Sequence, residues 1–306
     1  MLTCRRSNLQ LNEVTLMEIF APTDPPGHLT AHEINKHGGW FTWSPETRRF
    51  CHDWGRRMRG AEPPQRIRLL GGIPYDQTYS GAARPLDAEL DGRLMTFAEA
   101  FYGLEVPDEI MLLTDMMDAE FDGQSLHSLL AYLRDALVRI TGERMHALYS
   151  PIPTDEANGV EFLLHADLYL PRNLFCVYEE VPEDDTGALT FLPVPTFKRL
   201  LGGVRALPEE ARRQLHSLLD DTHGEDHHDT FVNLVHGREH AWVDELEAAL
   251  REQQFRVKLL YGQGYLVNDR RWLHGREAPG RTGNAKRLHR LIFNTKNYRT
   301  AEAGRR

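Results

Sequence analysis

The sequence predicts a mainly β fold with flanking helices, a barrel or sandwich interrupted by one helical excursion. Three observations carry this expectation. From Val160 the chain breaks into short apolar runs bounded by turn residues, at 162–168, 174–179 and 188–192. Runs of the same texture return late, at 255–261, 264–267 and 288–295. Between the two sets lie stretches with helical spacing, so one sheet system is entered, left and re-entered.

Taken in order, the first hundred residues are rich in Pro, Gly and Arg, as in Thr23-Asp-Pro-Pro-Gly27, Ala61-Glu-Pro-Pro64 and Gly71-Gly-Ile-Pro74. That texture predicts short elements joined by turns. The clearest helix spans 125–141, where Leu126, Leu129, Leu130, Leu133, Leu137 and Ile140 recur at helical spacing and Gly142 stands at the end. It is expected to pack on the outside of a sheet. Within the excursion, 208–219 has Pro208 in its first turn and 244–254 has Asp244 as its cap. The chain is expected as a single domain, 1–306. Residues 1–150 form a helical and mixed support region, 160–296 hold the β core, and a lid-like insertion occupies 200–254.

The 306 residues are enough to bury a sizeable core, and 41% hydrophobic with 26% charged residues is ordinary globular usage. The net charge of −9 is spread along the chain, which argues against a nucleic-acid-binding surface. No apolar run approaches the ~20 residues a membrane helix needs. The N-terminal Met1-Leu-Thr-Cys-Arg-Arg lacks an apolar signal core. A cytoplasmic protein is therefore expected, with no nucleic acid and no membrane, and with the oligomeric state open. Cys4, Cys51 and Cys176 are odd in number, lack metal-ligand spacing and read as reduced thiols. Trp40, Trp43, Trp54, Tyr75 and Tyr79 are expected in the core rather than at a site.

The chemistry-bearing pattern is His165-Ala166-Asp167 within an apolar run, with Trp272-Leu-His-Gly-Arg276 far downstream. On a strand, residues two apart share a face, so His165 and Asp167 reach one point and His274 arrives from a neighbouring strand. Two histidines and a carboxylate with open positions form the facial triad of non-haem Fe(II) oxygenases. A second His-x-Asp, His227-His228-Asp229, sits in the polar run Asp220–Asp229 and lies too near His274 for a barrel to form between ligands. It is expected to be a solvated loop.

The stretch Tyr265-Leu-Val-Asn-Asp-Arg-Arg-Trp-Leu-His-Gly-Arg-Glu-Ala-Pro, followed by Lys286-Arg-Leu-His-Arg-Leu-Ile-Phe, resembles the C-terminal signature of Fe(II)/2-oxoglutarate dioxygenases of the taurine dioxygenase and clavaminate synthase-like group. The resemblance covers residues 160–200 and 260–296. It implies a double-stranded β-helix (jelly-roll, cupin-like) core, Fe(II), 2-oxoglutarate and O2 as cofactors, and hydroxylation of a small molecule with release of succinate and CO2. The ligand positions carry over to His165, Asp167 and His274. Asp167 points to hydroxylation rather than halogenation, since related halogenases have Gly or Ala there.

The family also holds 2-oxoglutarate with a threonine in a "GGxT" turn, the place of Gly187-Ala-Leu-Thr190, and with an arginine. The arginine's usual position falls on Lys286, a departure, because a lysine cannot grip a carboxylate with a bidentate fork. Arg290 is then the first choice for the carboxylate and Arg287 the second, the two lying on opposite faces of one strand. Arg276 and Arg281 are expected to face substrate or solvent. The substrate is expected to be an amino acid or a natural-product intermediate, by analogy alone. Two alternatives stay open: a cupin-like metal enzyme not using 2-oxoglutarate, and a non-catalytic binding protein on the same barrel.

Overall fold

The structure is a computed structural model and describes residues 19–24, 26, 38–69, 77–81, 85–153, 161–167, 172–181, 186–220, 228–278 and 287–296. Its strands are β1 (Phe20–Thr23), β2 (Gly38–Trp43), β3 (Gln65–Arg68), β4 (Gln77–Ser80), β5 (Ile110–Leu113), β6 (Ala147–Pro153), β7 (Phe162–His165), β8 (Asn173–Glu180), β9 (Leu189–Pro193), β10 (Phe255–Val257), β11 (Gly264–Asn268), β12 (Trp272–Arg276) and β13 (Arg287–Phe293). The helices are α1 (Pro45–Met58), α2 (Ala88–Tyr102), α3 (Gly123–Thr141), α4 (Val194–Leu201), α5 (Glu209–Asp220), α6 (His228–His236) and α7 (Val243–Gln253).

A seven-stranded sheet has the order β1-β2-β5-β11-β8-β13-β6, and a four-stranded sheet the order β10-β9-β12-β7. All pairings are antiparallel except β2 with β5. Side-chain alternation along the strands produces four layers. On β8, Phe175 and Val177 turn outward onto α1–α3 and pack with Trp43, Phe97 and Leu133. Leu174, Cys176 and Tyr178 turn inward and meet Phe191 and Val257 of the smaller sheet. The smaller sheet's own outer residues, Leu164, Leu192 and Leu273, pack under α4–α7 with Phe197, Phe231 and Leu246. Both faces of both sheets are covered, so their strands read as continuous apolar runs rather than strict alternation.

The structure departs from the sequence expectations at several points. The chain up to residue 102 contains two full helices, α1 and α2. Pro45 opens α1 rather than breaking a chain of turns, behind a Ser44 cap whose side chain accepts from the Thr47 N–H. Four of the seven large-sheet strands, β1, β2, β5 and β6, lie before residue 154, so this region builds the sheet as well as supporting it. The insertion holds α5, α6 and α7, with α4 leading into it, and these helices enclose an apolar core of their own. α7 is capped at Trp242 without a side-chain bond, with Asp244 inside its first turn. β10 stops at Val257, short of 261, and the chain then turns through Gly262 at φ 71°.

Trp40, Trp43 and Trp54 are buried as expected, and Tyr75 lies outside the described residues. Cys51 and Cys176 are buried free thiols. Among the described residues, no helix is long and apolar enough to cross a membrane.

Candidate metal centre

His165 ends β7 and His274 sits mid-way along β12, directly opposite each other in the ladder. His274 shares its strand face with Trp272, a member of the inter-sheet core, so both imidazoles point between the sheets. Their ring centroids are 4.4 Å apart. Asp167 lies just past the end of β7 rather than on it. Its backbone N–H leaves the ladder and donates to Asp269 Oδ1 at 3.1 Å. That bond turns the Asp167 side chain back toward His165, with Oδ1 3.6 Å from His165 Nε2. Oδ2 stands 4.0 Å from His274 Nε2 and 3.6 Å from Arg290 Nη1.

The ring nitrogens are set by what lies behind them. His165 Nδ1 donates to the Leu163 carbonyl at 2.7 Å, which leaves the Nε2 lone pair on the Asp167 side. His274 Nδ1 is 3.5 Å from Asp269 Oδ1 and so faces a carboxylate in the same sense. Asp269 is 1% exposed and lies in the turn between β11 and β12, where it orients both Asp167 and His274. Burial, reinforced by neighbouring His165, pushes His274 down to about 3, so this imidazole is neutral at ordinary pH. Burial works to raise Asp167. The approach of the His165 ring and the positive charge of Arg290 outweigh it and hold the carboxyl well below its usual range.

Asp167 Oδ2 and His274 Nδ1 are nevertheless buried with no hydrogen-bond partner among the described residues. Buried polar atoms are rarely left so, since an unmade bond there costs roughly 1–3 kcal/mol. A divalent cation between the two imidazoles and this carboxylate would satisfy Oδ2 directly. The donor set fits Fe(II).

Arg290 extends from β13 into the inter-sheet space on the side of Leu288 and Ile292. Arg287 points the other way, is half exposed, and pairs with Glu179 at 3.2 Å. Lys286 and Arg281 lie outside the described residues. Arg276 shares the inward face of β12 with His274, and its Nε is buried without a hydrogen-bond partner among the described residues. Burial pushes the Tyr178 phenol upward, and the charge of Arg276 nearby works against that.

The structure does not bring Thr190 to this cluster. Leu189 and Phe191 point inward on β9, so Thr190 between them points outward, opposite Gly275. A Cβ on Gly275 would come within 2.9 Å of Thr190 Oγ1, which puts the two on the same outer face. Thr190 lines a shallow groove there with Glu161, Glu247 and Arg251.

The second histidine motif also needs correction. His228 is the first residue of α6, not part of a loop, while His227 lies outside the described residues. Its ring meets that of His165 edge to face at 5.1 Å, and its Nδ1 donates to the Ala166 carbonyl at 3.3 Å. Donor atoms of His165, Asp167 and His228 lie within 4.8 Å of one another, as do those of Asp167, Asp269 and His274. The signal for His228 was the run Phe231-Val-Asn-Leu-Val235 just after it, whose buried Phe231, Leu234 and Val235 dock α6 and carry its first turn to β7.

No protein-family model matches the sequence, and no curated protein matches it. The chain is similar to a solved structure of asparagine oxygenase, at 14% identity over 84% of this chain and 93% of that one, with a TM-score of 0.40. It is similar to the non-heme iron oxygenase OrfP in complex with Fe, at 13% identity over 84% and 94% with a TM-score of 0.37. It is also similar to a taurine dioxygenase from Burkholderia xenovorans, at 13% identity over 76% and 91% with a TM-score of 0.35. Overlaps at TM-scores of 0.40 and below are too loose to carry a fold or an activity to this chain. What speaks to function is the donor geometry around Asp167.

Proposed function

We propose that this protein is an Fe(II)- and 2-oxoglutarate-dependent oxygenase whose two facing sheets form a double-stranded β-helix core. It hydroxylates a small molecule, such as an amino acid or natural-product intermediate, with O2 as oxidant and succinate and CO2 as coproducts. The observation that carries this reading is the buried Asp167 carboxylate between two imidazoles, with Oδ1 3.6 Å from His165 Nε2, Oδ2 4.0 Å from His274 Nε2, and no hydrogen bond to Oδ2 among the described residues. A degenerate binding barrel would have no reason to retain a carboxylate in that state.

The metal and cosubstrate, when bound, supply oxygen activation; the chain supplies placement and a water-poor cavity. His165, Asp167 and His274 would hold the ion on one face. Asp269 orients them from behind, by its bond to the Asp167 N–H and its approach to His274 Nδ1. Arg290 is the guanidinium that would take a carboxylate of 2-oxoglutarate, because it enters the inter-sheet space while Arg287 is engaged with Glu179 on the other face. Arg276, with a buried unsatisfied Nε on the inward face, would take an anionic group of the substrate. Phe191, Tyr265 and Trp272 keep the surrounding inter-sheet space apolar.

The test is anaerobic Fe(II) addition with and without 2-oxoglutarate. A weak visible charge-transfer band appearing only with both supports the reading. If iron binds and no band appears, a cupin-like metal enzyme without 2-oxoglutarate takes its place. A screen of amino acids for substrate-stimulated succinate release then identifies the substrate.

A further inference from the structure

We infer that His228, carried to the site by α6, is a fourth protein donor to the metal, so that the insertion controls how many coordination positions stand open. The inference rests on the metal reading above and extends it to a residue outside the three-ligand pattern. β7 is the outer strand of the smaller sheet, and an outer strand leaves a row of backbone groups in need of partners. α6 covers that edge with two histidines. His228 Nδ1 donates to the Ala166 carbonyl at 3.3 Å, and His236 Nε2 donates to the Leu164 carbonyl at 2.9 Å. Buried Phe231, Leu234 and Val235 hold the helix between them. The position of His228 is therefore built by the fold.

The tautomer follows from the same bond. A carbonyl only accepts, so Nδ1 carries a proton, and Nε2 is the nitrogen left to meet a cation. His165 shows the same arrangement, with Nδ1 on the Leu163 carbonyl, and His274 has its Nδ1 toward Asp269. Three imidazoles thus have Nδ1 turned to an oxygen acceptor behind them. This is how metal-binding histidines are fixed. A donor atom of His228 is already within 4.8 Å of those of both His165 and Asp167, close enough for a cation to draw all three in.

Three donors on one face of an octahedral ion leave three positions, enough for a bidentate cosubstrate and a further ligand; four donors leave two. His228 would then hold the ion together with His165, Asp167 and His274, and α6, anchored at its far end by the His236 bond to Leu164, would set whether the fourth donor is offered.

The experiment is anaerobic titration of the full chain with Co(II), read by its visible absorption, for the wild type, His228→Ala, His228→Gln and His165→Ala. His228→Ala should bind Co(II) about tenfold more weakly, with an altered spectrum that added imidazole restores. His228→Gln keeps an N–H for the Ala166 carbonyl and brings no ring nitrogen, so it should weaken binding as His228→Ala does. Unchanged affinity and spectrum in His228→Ala overturn the inference while leaving the three-ligand site intact. Wild-type affinity in His228→Gln, or weakening in His228→Ala that imidazole does not restore, shows that only helix docking was lost and likewise overturns it. If His165→Ala binds Co(II) as the wild type does, the metal reading itself fails.

Discussion

Two clusters of buried polar side chains lie back to back across the large sheet, and β13 contributes to both. On the inward face, Arg290 reaches Asp167, which faces His165 and His274. On the outward face, His289 Nε2 meets Glu179 Oε2 at 2.9 Å, and its Nδ1 meets the Tyr149 hydroxyl at 2.8 Å. That hydroxyl also meets His127 Nδ1 of α3 at 2.8 Å, and Arg287 closes the set on Glu179. The hydrogen bond from His289 holds the Glu179 carboxyl below its usual range, so it accepts only. One order of donors then serves the whole chain: His289 Nε2–H to Glu179, the Tyr149 hydroxyl to His289 Nδ1, and His127 Nδ1–H to the Tyr149 oxygen. Every bond is made. The inward cluster instead leaves Asp167 Oδ2 and His274 Nδ1 without a hydrogen bond among the described residues, with Arg290 and Asp269 standing off at 3.6 and 3.5 Å. Burial of titratable groups is common to both clusters; only incompleteness separates them, and incompleteness is what a ligand can repair.

The largest effect that could break this contrast is on metal binding. His165→Ala, Asp167→Ala and His274→Ala should each abolish turnover and weaken Fe(II) binding by roughly two orders of magnitude or more. Tyr149→Phe, in the outward cluster, should leave Fe(II) affinity unchanged. Fe(II) titration of the four variants decides it. Loss of iron in Tyr149→Phe would show the two clusters to be one coupled site.

Next in size is the cosubstrate anchor. Removing the guanidinium from a buried carboxylate costs roughly 3–5 kcal/mol. Arg290→Ala should therefore raise the apparent Michaelis constant for 2-oxoglutarate by about two orders of magnitude, with iron affinity kept. Arg287→Ala loses a half-exposed pair with Glu179 and should change that constant little. A 2-oxoglutarate titration in which Arg287→Ala alone suffers would place the cosubstrate on the wrong side of the sheet for this reading.

The contrast also explains what could be read from the chain. α3 was legible to within two residues because its leucines alternate with polar positions and Gly142 ends it at φ 73°. His165 and His274 were legible because each interrupts an apolar run. The phase of β9 was not, since Leu189 and Phe191 are buried on one face and Leu192 on the other, and nothing in Leu-Thr-Phe-Leu says which way Thr190 points. β13 has the same ambiguity, with buried residues on both faces, so the choice between Arg287 and Arg290 rested on chemistry rather than pattern. His228 depends on helix docking across the sheet edge; the run Phe231-Val-Asn-Leu-Val235 marks the helix but not the strand it meets.

A smaller effect tests the completeness of the outward network. Tyr149 is fully buried, and its hydroxyl joins two imidazoles. Tyr149→Phe leaves two ring nitrogens facing a hydrocarbon edge and should lower the unfolding free energy by roughly 1–3 kcal/mol. Denaturant unfolding of the metal-free protein measures it. An unchanged midpoint would mean that water fills the gap at no cost and that the network is not needed for stability.

The smallest effect is a slope. Burial, with the neighbouring His289 ring adding to it, pushes His127 down to about 4 from the ordinary imidazole value of 6.5. Tyr149, His289, Glu179 and Arg287 are the groups it faces, and Glu179 alone works to raise it. A histidine with a depressed value in the folded state takes up its proton more readily when unfolded. Its contribution to stability is therefore complete above about 6.5 and is lost progressively as pH falls toward 4. In His127→Gln the side-chain N–H can still reach the Tyr149 oxygen, but nothing titrates. Unfolding free energies of the wild type and His127→Gln, measured by urea at steps from pH 8 to pH 4, should differ by a constant above pH 7. Below that the wild type should fall more steeply, because the inward histidines titrate alike in both proteins and cancel. Parallel curves down to pH 4 would show that the outward cluster does not hold His127 neutral, and the distinction between a finished network and an unfinished site would then rest on the inward side alone.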